Sequence, residues 1–160
     1  MSFADAIKQA EREGQVGTGI WKPQEGPNRI RVVAGPLPHS ETYQGEKRFK
    51  WLTFVLDRAD GQIKPYFMPH SVAKMIRDLQ QSEDYAFEGT PMPYDLTLTA
   101  KGAGTRDVEY GVVPARKSTP LTKAEEDAIV EKGSLAEFQR KLRERKQDPQ
   151  KPFDTDEMPA

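Results

Sequence analysis

The sequence predicts a mainly β domain of five short strands, with one helix between the third and fourth and further helices at both ends. Three observations carry this reading. Hydrophobic periodicity is two between Asn28 and Met68, turns helical after Pro69, and returns to two from Tyr94. The turn-forming runs Asp57-Arg58-Ala59-Asp60-Gly61 and Lys101-Gly102-Ala103-Gly104-Thr105-Arg106 separate alternating segments. Two capping-box patterns, Thr122 to Glu125 and Ser134 to Glu137, each open a helical run near the C-terminus.

In chain order, Ser2 is placed to N-cap a short helix over residues 2–13, where Phe3, Ile7 and Ala10 recur at helical spacing. GQVGTG interrupts the chain before Trp21. In Arg29–Ala34, Ile30 and Val32 share one face, and Arg29 and Arg31 are expected outward on the other; GPLPHS then ends the strand. Phe49–Leu56 is apolar on both faces, as a central strand would be, with Leu52, Phe54 and Leu56 assigned inward and Phe49 and Trp51 outward. The third strand runs from Ile63 to Met68, and Pro65 within it points to an edge position or a bulge, because proline cannot donate to a ladder. Val72, Met75, Ile76 and Leu79 form one apolar helical stripe. After a connection over residues 83–93, Tyr94–Thr99 and Val108–Val112 alternate as the last two strands. Gly133 separates two C-terminal helices. The second presents Leu135, Phe138 and Leu142 on one side and Arg140, Lys141, Arg143, Arg145 and Lys146 around the rest.

The resulting order, β-β-β-α-β-β over about residues 27–115, is that of the OB-fold, a partly open five-stranded barrel. The division that follows is an N-terminal helical arm and linker over 1–19, the barrel over 20–118, a helical pair over 119–147, and a tail over 148–160. That tail is acidic, contains proline and lacks apolar periodicity, so it is expected to be disordered.

Composition narrows the chemistry. The 160 residues are 36% apolar and 31% charged, with no cysteine, which excludes disulfides and thiolate sites. Two isolated histidines, His39 and His70, provide neither a zinc ligand set nor a histidine-based triad, so no enzyme, metal or cofactor is expected. No stretch approaches the roughly 20 apolar residues of a membrane helix, and MSFADAIKQAEREG lacks the basic-then-apolar pattern of a signal peptide. A cytoplasmic protein without a membrane partner is expected. The net charge of −1 conceals a basic centre and an acidic end: residues 27–70 carry +3 and residues 148–160 carry −3.

OB barrels commonly bind oligonucleotides or oligosaccharides across strands two and three and the flanking loops. A site for single strands needs cations for phosphates and rings for bases on one surface. Tyr43, Lys47, Arg48, Phe49, Lys50 and Trp51 have that mixture, as do Lys64 and Tyr66 in the next strand. Arg29 and Arg31 from the first strand and Lys101 and Arg106 from the last hairpin complete the candidate set. Plainer readings stand beside these: Trp51 as core, the two arginines as solubilising charge, Trp21 as a cap on the barrel's end. Asp57 and Asp60 read as turn formers rather than metal ligands.

The runs WKPQEGPNRIRVVAGPLPHS, FKWLTFVLDRADGQIKPYFMPHSV and PMPYDLTLTAKGAG, within about residues 20–118, resemble the OB-fold single-stranded DNA-binding proteins of tailed bacteriophages. The resemblance implies a non-enzymatic protein that coats single-stranded DNA, with little sequence preference, during phage replication, recombination and repair in the host cytoplasm. It also implies an acidic tail, here Phe153, Asp154, Asp156 and Glu157, that contacts replication or recombination proteins and competes with DNA for the basic groove. Two features depart from the family pattern. The tail ends Met158-Pro159-Ala160 rather than on an aromatic residue, and no Cys/His zinc module is present. The residues leave self-association through the N-terminal arm open. The alternative is an OB-fold protein–protein adaptor acting through helices 120–147; a nuclease would need a metal-binding acid cluster that the sequence does not assemble.

Overall fold

Asn28 ties the chain into its sheet. Its side-chain amide donates to the carbonyls of Gln24, Gly26 and Leu98, while its oxygen accepts from Gln24 N–H. This pins the entry turn to a strand distant in sequence. A computed structural model describes residues 2–6, 19–117 and 119–147. In it the elements are β1 (Gly26–Tyr43), β2 (Glu46–Asp57), β3 (Gln62–Met68), α1 (His70–Gln80), β4 (Leu96–Lys101), β5 (Glu109–Pro114), α2 (Lys123–Lys132) and α3 (Leu135–Gln147). The strands form one antiparallel sheet in the order β3-β2-β1-β4-β5. Among the described residues no ladder joins β3 to β5, so the expected barrel closure is not found and the sheet is open.

Pro65 lies in β3, which is an edge strand as its missing N–H requires. Its carbonyl accepts the backbone N–H of Trp21 at 2.7 Å. GPLPHS, by contrast, does not end β1. Register shifts between Val32 and Ala34 and between Ala34 and Leu37 absorb the irregular residues, and pairing with β2 resumes from Leu37 to Tyr43. Gly35 sits in this bend at φ +103°, where a Cβ would meet the Leu52 carbonyl oxygen at 2.8 Å and Leu135 Cδ1 at 3.0 Å. The bend lets one strand serve both halves of the sheet, β4 along residues 26–30 and β2 from residue 30 onward.

Two apolar clusters sandwich the sheet. The larger joins Ile30, Val32, Val55, Tyr66, Met68, Leu96 and Leu98 to Val72 of α1. The smaller joins Val33, Leu52, Phe54 and Leu56 to Leu135, with Leu121, Ile129 and Phe138 packed against it. Both faces of β2 are therefore covered, which is why its sequence alternates so weakly. Leu52, Phe54 and Leu56 are buried as expected, but beneath the C-terminal helices rather than in the larger core.

The helix caps follow the sequence signals. Thr122 accepts from Glu125 N–H and the Glu125 carboxylate accepts from Thr122 N–H, a complete capping box. Ser134 Oγ accepts from Glu137 N–H, and Ser2 Oγ accepts from Asp5 N–H. Only Gly133 and Ser134 part α2 from α3, so the pair forms one bent helical arm. The helical run at Phe3–Ala6 is described, whereas the rest of the 2–13 helix expectation lies outside the described residues. No described helix is long and apolar enough to cross a membrane.

Candidate nucleic-acid interface

The outer half of the β1–β2 hairpin extends to a two-residue turn at Gln44 (φ 50°) and Gly45 (φ 80°), with Tyr43 opposite Glu46. Cross-strand partners share a face, so Thr42 with Lys47, Ser40 with Phe49 and Pro38 with Trp51 line one side of this arm. On that side Phe49 is 45% exposed. Its ring meets the half-buried Trp51 edge-on, centroids 4.9 Å apart. Trp51 in turn stacks beside His70, the first residue of α1, at 6.3 Å and 25°. The Trp51 indole N–H donates to His70 Nδ1 at 3.1 Å. Three rings thus run from the exposed arm to the start of a helix, with the exposed Lys47 on the same face.

Of the expected site residues, this arm brings together Lys47, Phe49 and Trp51. Arg48 and Lys50 lie on its reverse side, sharing a face with Glu41 and His39. Tyr43 closes β1, which corrects its expected place in a loop; its side chain lies outside the described atoms. Lys101 and Arg106 are exposed in the β4–β5 hairpin, but that hairpin adjoins Gly26, at the opposite end of β1 from the arm's tip. Its backbone donors are already engaged. Gly102 N–H and Ala103 N–H bond the Glu25 carboxylate at 3.0 and 2.8 Å, and these bonds hold that carboxyl below its usual range. The tail residues Phe153, Asp154, Asp156 and Glu157 lie outside the described residues.

Packing overturns the outward placement of Arg31 and the exposure of Tyr66, and it engages Arg29 and Lys64 in ion pairs. Arg31 is not outward: it is 1% exposed, its Nε donates to Asp95 at 2.7 Å and its Nη2 donates to the Thr119 carbonyl. Its face of β1 is covered rather than wet, since the chain leading to α2 crosses it. Arg29 is half-exposed but bonds the same carboxylate at 3.2 Å. Arg58, from the β2–β3 turn, reaches both Asp95 and Glu125. Burial alone would raise the Asp95 carboxyl. Hydrogen bonds from Arg58, Arg31 and Arg29 outweigh it and hold the group below the ordinary carboxylate range. Lys64 is not a free cation either, because it is largely buried between Asp57 and Asp60. Tyr66 is 3% exposed, its ring meeting Trp21 edge-on at 4.7 Å, and its buried hydroxyl lacks a hydrogen-bond partner among the described residues. Trp21, read from the sequence as a cap on the barrel's end, is buried in the larger core cluster.

His70 reads locally as no more than the start of a helix, and it is the first residue of α1. The signal was present in the hairpin arithmetic. Pairing Asp57 with Gln62 across the turn sets Trp51 opposite Met68, which brings residue 70 beside the indole. Among the described residues no group of three or more His, Asp or Glu is placed to hold a metal ion. No family model, curated protein or solved structure matches this chain.

Proposed function

We propose that the chain is a single-stranded DNA-binding protein built on an OB-like barrel left open between β3 and β5, and that it acts without catalysis. The observation that carries this reading is the run of Phe49, Trp51 and His70 along an exposed, Lys47-bearing arm. Apolar rings normally retreat from water, whereas here Phe49 stands 45% exposed beside a half-covered indole. Such rings accept bases of any sequence face to face, at about 1–3 kcal/mol per base, while lysines neutralise phosphates in a salt-dependent way. The strand pairing also supports an OB-like barrel, since β1 pairs with both β2 and β4 and a helix follows β3. The family resemblance of the sequence points the same way, toward coating of single strands in phage replication, recombination and repair.

The adaptor reading has less to rest on. The C-terminal helices turn Leu135, Ile129 and Phe138 onto the sheet and leave Val130, 79% exposed, as their bare apolar side chain. The deciding experiment is tryptophan fluorescence during titration with oligo-dT at two salt concentrations. With Trp21 in the core, the quenched signal belongs to Trp51. The expected result is salt-weakened quenching, and a roughly 5- to 100-fold loss of affinity in Phe49→Ala with an unchanged thermal midpoint. No binding by fluorescence or by anisotropy of a labelled oligonucleotide overturns the proposal and moves the helical arm to first place.

A further inference from the structure

The reverse side of the β1–β2 arm carries a second set of cations that the ring platform does not use. Helix α3 follows β1 toward the tip of this arm. Leu135 Cδ1 lies against Gly35, and four residues later Gln139 Nε2 lies 3.0 Å from both the Pro38 carbonyl and His39 Nδ1. Leu142, one turn further, is again buried. At 1.5 Å per residue, the segment beyond Leu142 advances along the strand toward Glu41 and Thr42, whose β2 partners are Arg48 and Lys47. The reverse face of the arm therefore meets the middle of α3 at His39, whose β2 partner is Lys50, and the C-terminal half of the helix runs on from that contact.

That half of α3 is strongly basic: residues 140–146 hold five Lys or Arg against one Glu. Arg140 is engaged by Glu137 and Glu144 on its own helix. Lys141 and Arg143 are exposed, and among the described residues neither they nor Lys50 has a carboxylate partner. The contrast with the body of the sheet is sharp, since Arg29, Arg31, Arg58 and Lys64 are all ion-paired there. Cations gathered at one end of a helix and beside an arm repel one another. A polyphosphate backbone crossing them relieves that repulsion and releases its counterions.

We propose that Lys50, Lys141 and Arg143 form a second, purely electrostatic contact for the phosphates of the strand that stacks on Phe49 and Trp51. The strand then passes around the edge of the arm, bases on one side and backbone on the other. This rests on the single-strand reading above and extends it. It makes the bound length exceed what the rings alone would hold. It also gives the C-terminal helix a role in nucleic-acid binding rather than in protein capture.

The test compares the full-length chain with Lys141→Gln/Arg143→Gln, on short oligo-dT of about five nucleotides and long oligo-dT of about 16, the range of one OB-fold site. On the long strand the variant is expected to bind at least about tenfold more weakly at low salt. Its log–log salt slope should fall by about 1.4, two contacts at roughly 0.7 each for single strands. On the short strand, affinity should stay within about twofold, and the maximal quenching of Trp51 should not change. Unchanged affinity and slope on the long strand overturn the proposal, as does equal weakening on both lengths, which signals a general field rather than a contact. If the unmodified chain binds neither strand, the single-strand reading itself has failed. Far-ultraviolet circular dichroism of the variant separates a lost contact from a lost helix.

Discussion

Tyr66 shows how one residue's surroundings reverse what its neighbours in sequence imply. It lies between Lys64 and Met68 in a strand of mixed polarity, yet its ring is pressed against Trp21 and its hydroxyl is buried without a partner. Burial pushes the phenol far above its usual titration range. An unpaired buried hydroxyl costs about 1–3 kcal/mol, so Tyr66→Phe is expected to leave stability unchanged or raise it by about 1 kcal/mol. Urea unfolding checks this, and the same protein should bind oligo-dT with unaltered affinity. A loss of binding in Tyr66→Phe would return this residue to the interface. Trp51 and Phe49 show the converse. Neither differs in type from a core residue: Trp51 sits at the margin of the larger core, packed against it and paired with Met68, and Phe49 stands where β2 continues past the β3 ladder.

At the scale of elements, the sheet depends on one bend. β1 changes partner near Ile30 and turns at Gly35, whose positive φ and close approach to the Leu52 carbonyl and Leu135 leave no room for a side chain. Gly35→Ala is therefore expected to destabilise by clearly more than the roughly 1 kcal/mol of an ordinary glycine-to-alanine difference, measured by chemical denaturation. Because α3 packs at this same point, the variant should also loosen the C-terminal arm, seen as faster hydrogen exchange in residues 135–142. Uniform protection there would mean that the helix is held independently of the bend. The element types were legible in the sequence: periodicities, the Asp-Gly turn and both caps each found their place. The length of β1 was not, since prolines in GPLPHS read as a stop and only the register with β2 shows them absorbed as bulges.

Across the whole molecule, Asp95 joins parts that are far apart in the chain. Its carboxylate receives Arg29 and Arg31 from β1 and Arg58 from the β2–β3 turn, while Arg58 continues to Glu125 and Arg31 to the Thr119 carbonyl. The C-terminal arm is thereby fastened to the sheet by charge as well as by its apolar face. Asp95→Asn leaves Arg31 buried without its counter-ion, and breaking such a pair costs about 3–5 kcal/mol. The pH dependence has a definite sign. A carboxyl held below its unfolded value stabilises fully above the ordinary carboxylate range and loses that contribution as pH falls through its lowered value. Wild-type stability should therefore decline more steeply than that of Asp95→Asn as pH falls through and below the ordinary carboxylate range, followed by urea midpoints. Parallel profiles for the two proteins would show that Asp95 does not carry the acid sensitivity.

The sequence by itself determined the element types, the helix caps and the ring-and-lysine character of the segment 43–51, and it narrowed β3 to an edge position or a bulge, which the sheet order resolved as an edge. These depend on local periodicity, turn chemistry and residue type, all readable within a few positions. The tertiary structure alone decided which cations remain available. Arg29, Arg31, Lys50 and Lys64 are equivalent as letters in alternating strands. Packing sets the first two against Asp95 and Lys64 between Asp57 and Asp60, and it leaves Lys50 without an ion pair among the described residues, opposite the His39 that Gln139 of α3 contacts. For the two arginines the partner comes from more than 60 residues away, and for Lys64 it comes across the folded β2–β3 turn; alternation along one strand holds no information about either. The same holds for the rings, because whether Phe49, Trp51 and Tyr66 meet solvent or core depends on where the covering layers stop.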